Sequence, residues 1–103
     1  MSQFDVHANP SRMGRHDRPF LIVLQTRFLD HLRTRVCAPL VVQGAIQPQP
    51  RLNPFLTVSG QDYYFSPTEL VTLPVRMLGK PIENLETQRD RIINALDRVF
   101  LGV

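Results

Sequence analysis

The sequence predicts a mainly β fold with one C-terminal α-helix, and three observations carry that prediction. Nine prolines and five glycines cut the 103 residues into short apolar segments, the punctuation of short strands. Phe55-Leu56-Thr57-Val58 and Tyr63-Tyr64-Phe65 flank Ser59-Gly60-Gln61-Asp62, a four-residue connection with a glycine inside it, which signals a hairpin. From Asn84 onward the apolar residues recur at spacings of three and four, the period of a helix.

The elements follow in order. Phe4-Asp5-Val6 alternates apolar and polar as a half-buried strand does, and residues 9–18 carry turn chemistry throughout. Residues 19–25 hold the continuous apolar run Phe20-Leu21-Ile22-Val23-Leu24 between polar flanks, the pattern of a central, well-buried strand. A polar connection over residues 26–33 leads to a strand near residues 35–42. Pro39 inside it has no N–H to give, which predicts an edge or a bulge. Residues 43–54, with Pro48, Pro50 and Pro54, read as a surface loop with room for a short strand, and residues 70–78 as the last strand. Pro74 again marks an edge or a bulge, and Gly79-Lys80-Pro81 ends the strand. In the helix, Leu85, Ile92, Ala95, Leu96, Val99 and Val103 share one stripe, while Arg89, Arg91, Asp97 and Arg98 lie away from its centre. Asn84 or Thr87 caps its start, Thr87 standing three residues before Asp90, and Gly102 stops it.

With 43% apolar and 20% charged residues, the chain has the composition of a folded domain, and its length suits one domain over residues 1–103. Its longest apolar run, Phe20 to Leu24, is far below the roughly 18 residues needed to cross a bilayer, so no membrane segment is expected and the protein reads as soluble and non-secreted. Cys37 is the only cysteine, which excludes an internal disulfide. No Cys/His cluster has zinc-ligand spacing, and no metal or cofactor is expected. Twelve basic against nine acidic residues leave a net charge of +3, almost all of it arginine because Lys80 is the only lysine. Planar guanidinium forks suit carboxylates and phosphates, so the composition favours an acidic partner.

His31 with Asp30, Arg33 and Arg35 is the densest group of side chains able to carry chemistry. Acid-base cleavage of RNA needs a base, an acid and a phosphate-holding cation in such proximity. His7 and His16 have no metal-ligand partner nearby and read as surface histidines, and Cys37 reads as a small hydrophobe within a strand. Arg12, Arg15 and Arg18 recur at spacing three in a turn-rich loop, where they could hold an acidic segment, while Tyr63, Tyr64 and Phe65 suit a core or an interface. The helix carries Val99-Phe100-Leu101-Gly102-Val103 at the chain end, where polarity is the norm. Those apolar side chains are either packed in a dimer interface or offered to a partner.

Phe20, Val23, Gln25, Asp30, Arg35, Pro39-Leu40, Leu52, Pro54, Val71, Pro74-Val75, Gly79, Leu85, Arg89, Ile92, Asn94-Ala95, Phe100 and Gly102 stand in an order and spacing that resembles the CcdB family over almost the whole chain. These are toxins of plasmid- or chromosome-borne toxin-antitoxin pairs. The resemblance implies an SH3-like barrel of antiparallel strands with a C-terminal helix, forming a cytoplasmic homodimer that is not an enzyme. It implies binding to the A subunit of DNA gyrase and trapping of the gyrase-cleaved DNA complex. It further implies neutralisation by a CcdA-like antitoxin with an acidic disordered segment, and operator binding only by the toxin-antitoxin complex. Carried over residue by residue, the gyrase-facing set is Leu101, Gly102, Val103, Asp97, Phe28 and Leu29. Arg12, Arg15 and Arg35 are the candidates for the antitoxin.

One departure bears on the mechanism. Where the family pattern ends Trp-Gly-Ile, this chain ends Leu101-Gly102-Val103, so a cation-π contact worth about 0.5–2 kcal/mol is missing. Two alternatives therefore stand beside gyrase poisoning: a sequence-specific endoribonuclease toxin of the related fold, and a non-toxic regulatory homologue.

Overall fold

The computed structural model describes residues 2–103, so Met1 of the expected 1–103 domain lies outside the described residues. Its strands are β1 (Asp5–Ala8), β2 (Phe20–Val23), β3 (Thr34–Val41), β4 (Phe55–Val58), β5 (Gln61–Phe65), β6 (Val71–Pro74) and β7 (Glu83–Asn84), followed by the helix α1 (Arg89–Leu101). Every pairing is antiparallel, in the order β4-β5-β3-β2-β1-β7, and β6 joins β3 off this path. The architecture is a nearly closed β barrel with one C-terminal helix, the class that the sequence predicts.

Strand alternation sorts the apolar residues onto two faces. Val6, Ile22, Ala38, Leu40, Leu56, Val58 and Phe65 point into the main core with Phe4 and Leu85, and Ile92 and Ala95 cover it from the helix. Leu21, Val23, Cys37 and Leu78 form a smaller cluster with Leu73 against it. Because β2 supplies both clusters, its sequence is continuously apolar, as expected for a strand buried on both faces. Phe4 enters the core from a left-handed backbone with φ 69, a conformation costing on the order of 1–3 kcal/mol that persists only because its surroundings over-determine it. Its N–H donates to Val23 C=O at 2.6 Å, and the Arg89 guanidinium lies 5.5 Å from its ring centroid.

Several expectations need correction. Pro39 is neither at an outer edge nor in a bulge: it pairs with Leu21 in the middle of the sheet. Its C=O accepts from Ser66 N–H at 3.1 Å, at the place where the partner of β3 changes from β6, ending at Cys37, to β5, beginning at Leu40. The missing N–H thus faces a gap between two neighbours. Pro74 does sit on an edge, since β6 pairs only with β3. The β4–β5 hairpin turns on two residues, with Ser59 at φ 51 and Gly60 at φ 81. Both central residues lie at positive φ, as a type I′ turn requires, so Gln61 and Asp62 belong to the strand. Residues 43–54 contain no strand, and the last strand is β7 instead of β6. His7 is buried in β1 instead of exposed, with Nδ1–H donating to Gly79 C=O at 2.9 Å.

The helix completes the barrel at its open seam. The outward backbone groups of β4 have no strand beside them. Gln88, just before α1, fills the role of one: its Oε1 accepts from Thr57 N–H at 2.9 Å and its Nε2 donates to Thr57 C=O at 3.0 Å. Arg91 Nη1 donates to Phe55 C=O at 3.1 Å, and Ser59 N–H donates to Glu83 Oε1 at 3.1 Å, tying the hairpin to β7. Neither expected cap holds α1 itself: Asn84 Oδ1 instead accepts from Glu86 N–H at 2.9 Å, at the 3-10 turn Glu86–Gln88. Gly102 stops the helix as expected, at φ 71, with its N–H on Arg98 C=O at 3.2 Å.

Replacing Gln88 with Ala strips two backbone groups of their partners at once, a loss of about 1–2 kcal/mol. Thermal unfolding of Gln88→Ala is expected to show a Tm lowered by roughly 4–16 °C, and Gln88→Glu, which keeps only the acceptor, a smaller drop.

Candidate functional site

The connection between β2 and β3 folds into a 3-10 turn, Arg27–Leu29, started by Thr26, whose Oγ1 accepts from Phe28 N–H at 3.5 Å. Arg35, in β3, secures the rest. Its Nη1 donates to Leu32 C=O at 2.7 Å and Thr34 C=O at 2.9 Å, and its Nη2 donates to Asp30 C=O at 2.9 Å. Asp30 Oδ1 stands 3.8 Å from Nη2, an ion pair without a hydrogen bond. Arg35 is 4% exposed, and its Nε has no partner. The buried guanidinium is thus satisfied mainly by three carbonyl dipoles, with Asp30 as a longer-range counter-charge.

The facing wall is the end of β6 and the 3-10 turn Val75–Met77. Val75 N–H donates to Arg33 C=O at 2.8 Å, which joins the two walls at their base. Between them lies a cleft of about 430 Å³ lined by Asp30, Leu32, Arg33, Arg35, Pro74, Val75 and Arg76. The cleft thus sets Asp30 and three arginines beside the apolar Leu32, Pro74 and Val75, with the Arg35 guanidinium already engaged by loop carbonyls, a lining suited to an anion carrying an organic group.

Of the sequence-predicted group, Asp30, Arg33 and Arg35 meet in this cleft, while His31 is exposed and does not line it. Arg76 is the residue that sequence reasoning missed. It reaches the others only through the β3–β6 register, Thr34 opposite Pro74 and Arg35 opposite Leu73, which no local pattern encodes. Arg35, one of the antitoxin candidates, is buried and occupied with loop carbonyls, whereas Arg12 and Arg15 are exposed in the first loop. Arg15 Nε donates to Asn9 C=O at 3.1 Å. Arg18 makes a two-pronged contact with Glu69, at 2.9 and 3.1 Å. Burial pushes the Glu69 carboxyl up, but the hydrogen bonds from Arg18 and Ser66 and the Arg18 charge outweigh it and hold the group below its usual range.

The gyrase candidates fall on two elements. Asp97, Leu101, Gly102 and Val103 lie at the end of α1, with Leu101 69% and Val103 74% exposed, and Phe28 and Leu29 lie on the 3-10 turn beside the cleft. Cys37 is buried, and desolvation pushes its thiol up to about 11 despite the opposing Arg35 charge, so it is packing material rather than a nucleophile. Among the described residues no group of three or more His, Cys, Asp or Glu could hold a metal ion, and no helix is long and apolar enough to cross a membrane.

The family model for CcdB protein matches residues 3–102. The chain belongs to the CcdB family. It is thereby placed among the toxins of toxin-antitoxin pairs. No curated protein matches the sequence. Among solved structures, an endoribonuclease from a mycobacterial species superposes with a TM-score of 0.74 at 15% identity, covering 100% of this chain and 92% of the other. An endoribonuclease in complex with its cognate antitoxin, also mycobacterial, gives 0.76 at 15% identity, covering 100% and 96%. These likenesses agree with the CcdB-type fold. They also overturn the expectation that the protein is not an enzyme, because chains of this fold include RNA-cleaving ones, and nothing in the architecture bars catalysis.

Two outcomes test this geometry. Arg35→Met leaves three loop carbonyls without their donor and should destabilise the protein by about 2–3 kcal/mol, read by urea unfolding. At pH 8 the folded protein is expected to react with a thiol reagent far more slowly than the urea-unfolded chain, the rates being followed by absorbance.

Proposed function

We propose that this CcdB-family protein is a toxin that cleaves RNA in the cleft between the 3-10 turn of the β2–β3 connection and the end of β6. The observation that carries the reading is that Asp30, Arg33, Arg35 and Arg76 line one cleft. The two endoribonucleases of the same fold support it. In this reading Arg33 and Arg76 hold the non-bridging oxygens of a phosphodiester. Asp30 takes the proton from the ribose 2′-hydroxyl, O2′ attacks phosphorus, and the P–O5′ bond breaks. The leaving 5′-oxygen takes a proton from water, and the hydroxide so formed is neutralised by the proton on Asp30, giving a 2′,3′-cyclic phosphate and a 5′-hydroxyl. No redox partner or metal is needed for that balance. Arg35 acts as a positioning residue, through the loop carbonyls it holds.

The solved complex of an endoribonuclease with its cognate antitoxin supports an antitoxin partner for this chain as well. Exposed Arg12 and Arg15 suit an acidic segment of it. Homodimerisation, a cytoplasmic location and operator binding together with the antitoxin complete the proposal.

A second reading, docking on the A subunit of DNA gyrase, is favoured by the exposed apolar end of α1, namely Phe100, Leu101 and Val103. Two experiments separate the readings. Purified protein incubated with RNA of varied sequence should release fragments with cyclic phosphate ends, at a rate lowered about 10²–10⁴-fold by Asp30→Ala and about 10²–10³-fold by Arg33→Ala or Arg76→Ala. Absence of cleavage across all sequences overturns the first reading. Removing residues 101–103 should leave growth arrest intact if RNA is the target. If gyrase is the target, it should abolish arrest in a protein that is still folded.

A further inference from the structure

Phe28 is 85% exposed, an unusual place for a phenyl ring with no covering group. It is not on a loose loop. Leu29 N–H donates to Thr26 C=O at 3.0 Å, Asp30 N–H donates to Arg27 C=O at 3.0 Å, and Leu32 N–H donates to Leu29 C=O at 3.0 Å. The Arg35 guanidinium then holds the carbonyls of Asp30, Leu32 and Thr34 from beneath. Phe28 is thus mounted on a braced turn that is also one wall of the cationic cleft, since Asp30, two residues on, and Leu32 line it. Arg27 stands next to the ring in sequence, and Arg33 and Arg76 lie at the cleft.

An exposed apolar ring on a hydrogen-bonded turn that also forms one wall of an arginine-lined cleft is a combination by which proteins hold a single nucleic-acid strand: the cations track the backbone, and the ring stacks on a base. The charge also selects the occupant. The cleft has three arginines against one carboxylate, which favours an anionic strand over a neutral apolar protein surface. We infer that Phe28 is the stacking platform for an unpaired nucleobase next to the phosphate seated in the Arg33–Arg76 cleft. The inference deepens the RNA reading and rests on it. A base already stacked within a duplex has no face free for the ring, so the site takes single-stranded RNA and discriminates against paired RNA.

The chain contains no tryptophan, so Phe28→Trp introduces a single indole at the platform, excited selectively at wavelengths where tyrosine does not absorb. The probe is a single-stranded 2′-O-methyl oligonucleotide, which lacks the 2′-hydroxyl needed for cleavage and reports binding alone. The indole emission of Phe28→Trp should be quenched saturably by the single strand and not by the same sequence as a duplex. Phe28→Ala should weaken binding about 5- to 100-fold, and with cleavable RNA it should raise KM more than it lowers kcat. Equal affinity of Phe28→Ala and the parent for the oligonucleotide, or binding without any change in the indole emission, overturns the inference and leaves the cleavage reading standing. Quenching by the gyrase A subunit with none by the oligonucleotide also overturns it. Stacking of the oligonucleotide without cleavage of any RNA sinks the cleavage reading alone.

Discussion

The structure depends on how an incompletely closed sheet disposes of its last edge. A barrel strand with no neighbour exposes backbone groups that must find partners, and here the edge of β4 is satisfied by side chains instead of a strand. The amide of Gln88 presents to Thr57 the same donor and acceptor that a peptide group would. That fixes where α1 begins, and with it which helical face meets Val58, Leu56 and Phe65 in the core. Ile92 and Ala95 are buried because Gln88 and Arg91 are tethered. The helix is thus both a lid on the apolar interior and the closing piece of the barrel.

The cleft arises from a comparable use of one residue for two ends. Arg35 sits in β3 opposite Leu73 of β6, so its backbone brings the two walls together while its guanidinium organises the loop that forms one of them. The strand pair also brings Arg76 to the same cleft as Arg33. Asp30, the carboxylate that lines the cleft, stands 3.8 Å from Arg35 Nη2, an ion pair without a hydrogen bond. Positive character in this cleft is a product of sheet register and not of a basic stretch of sequence. The modest overall charge of +3 therefore says little about it.

Much of the fold was readable beforehand, for reasons that are local. The run from Phe20 to Leu24, the stripe through Ile92 and Ala95, and Gly102 each express a period or a backbone need within a few residues. What escaped depends on partners distant in sequence. Pro39 obeyed the rule about missing N–H groups, but the vacancy it needed was created by a change of neighbour that only the assembled sheet contains. His7 looked like a surface residue because its burial relies on Gly79, 72 positions away. β7 has two residues and no pattern of its own. For the site, Asp30, Arg33 and Arg35 were visible as a cluster, whereas the structure turned Arg35 inward, left His31 outside and added Arg76.

The order of the chain gives this closure a consequence during synthesis. α1 follows every strand, yet Leu85 N–H meets Phe4 C=O at 3.0 Å and β1 has β7 as one of its two neighbours. A polypeptide still growing on the ribosome holds its first strand without one flanking partner and its fourth with an open margin, a state that chaperones recognise and that folds slowly because its contacts are long in sequence. Translation must therefore run nearly to completion before the molecule can adopt its working shape. A chain cut short upstream of the helix lacks Gln88 and Arg91, and with them the groups that close the margin of β4.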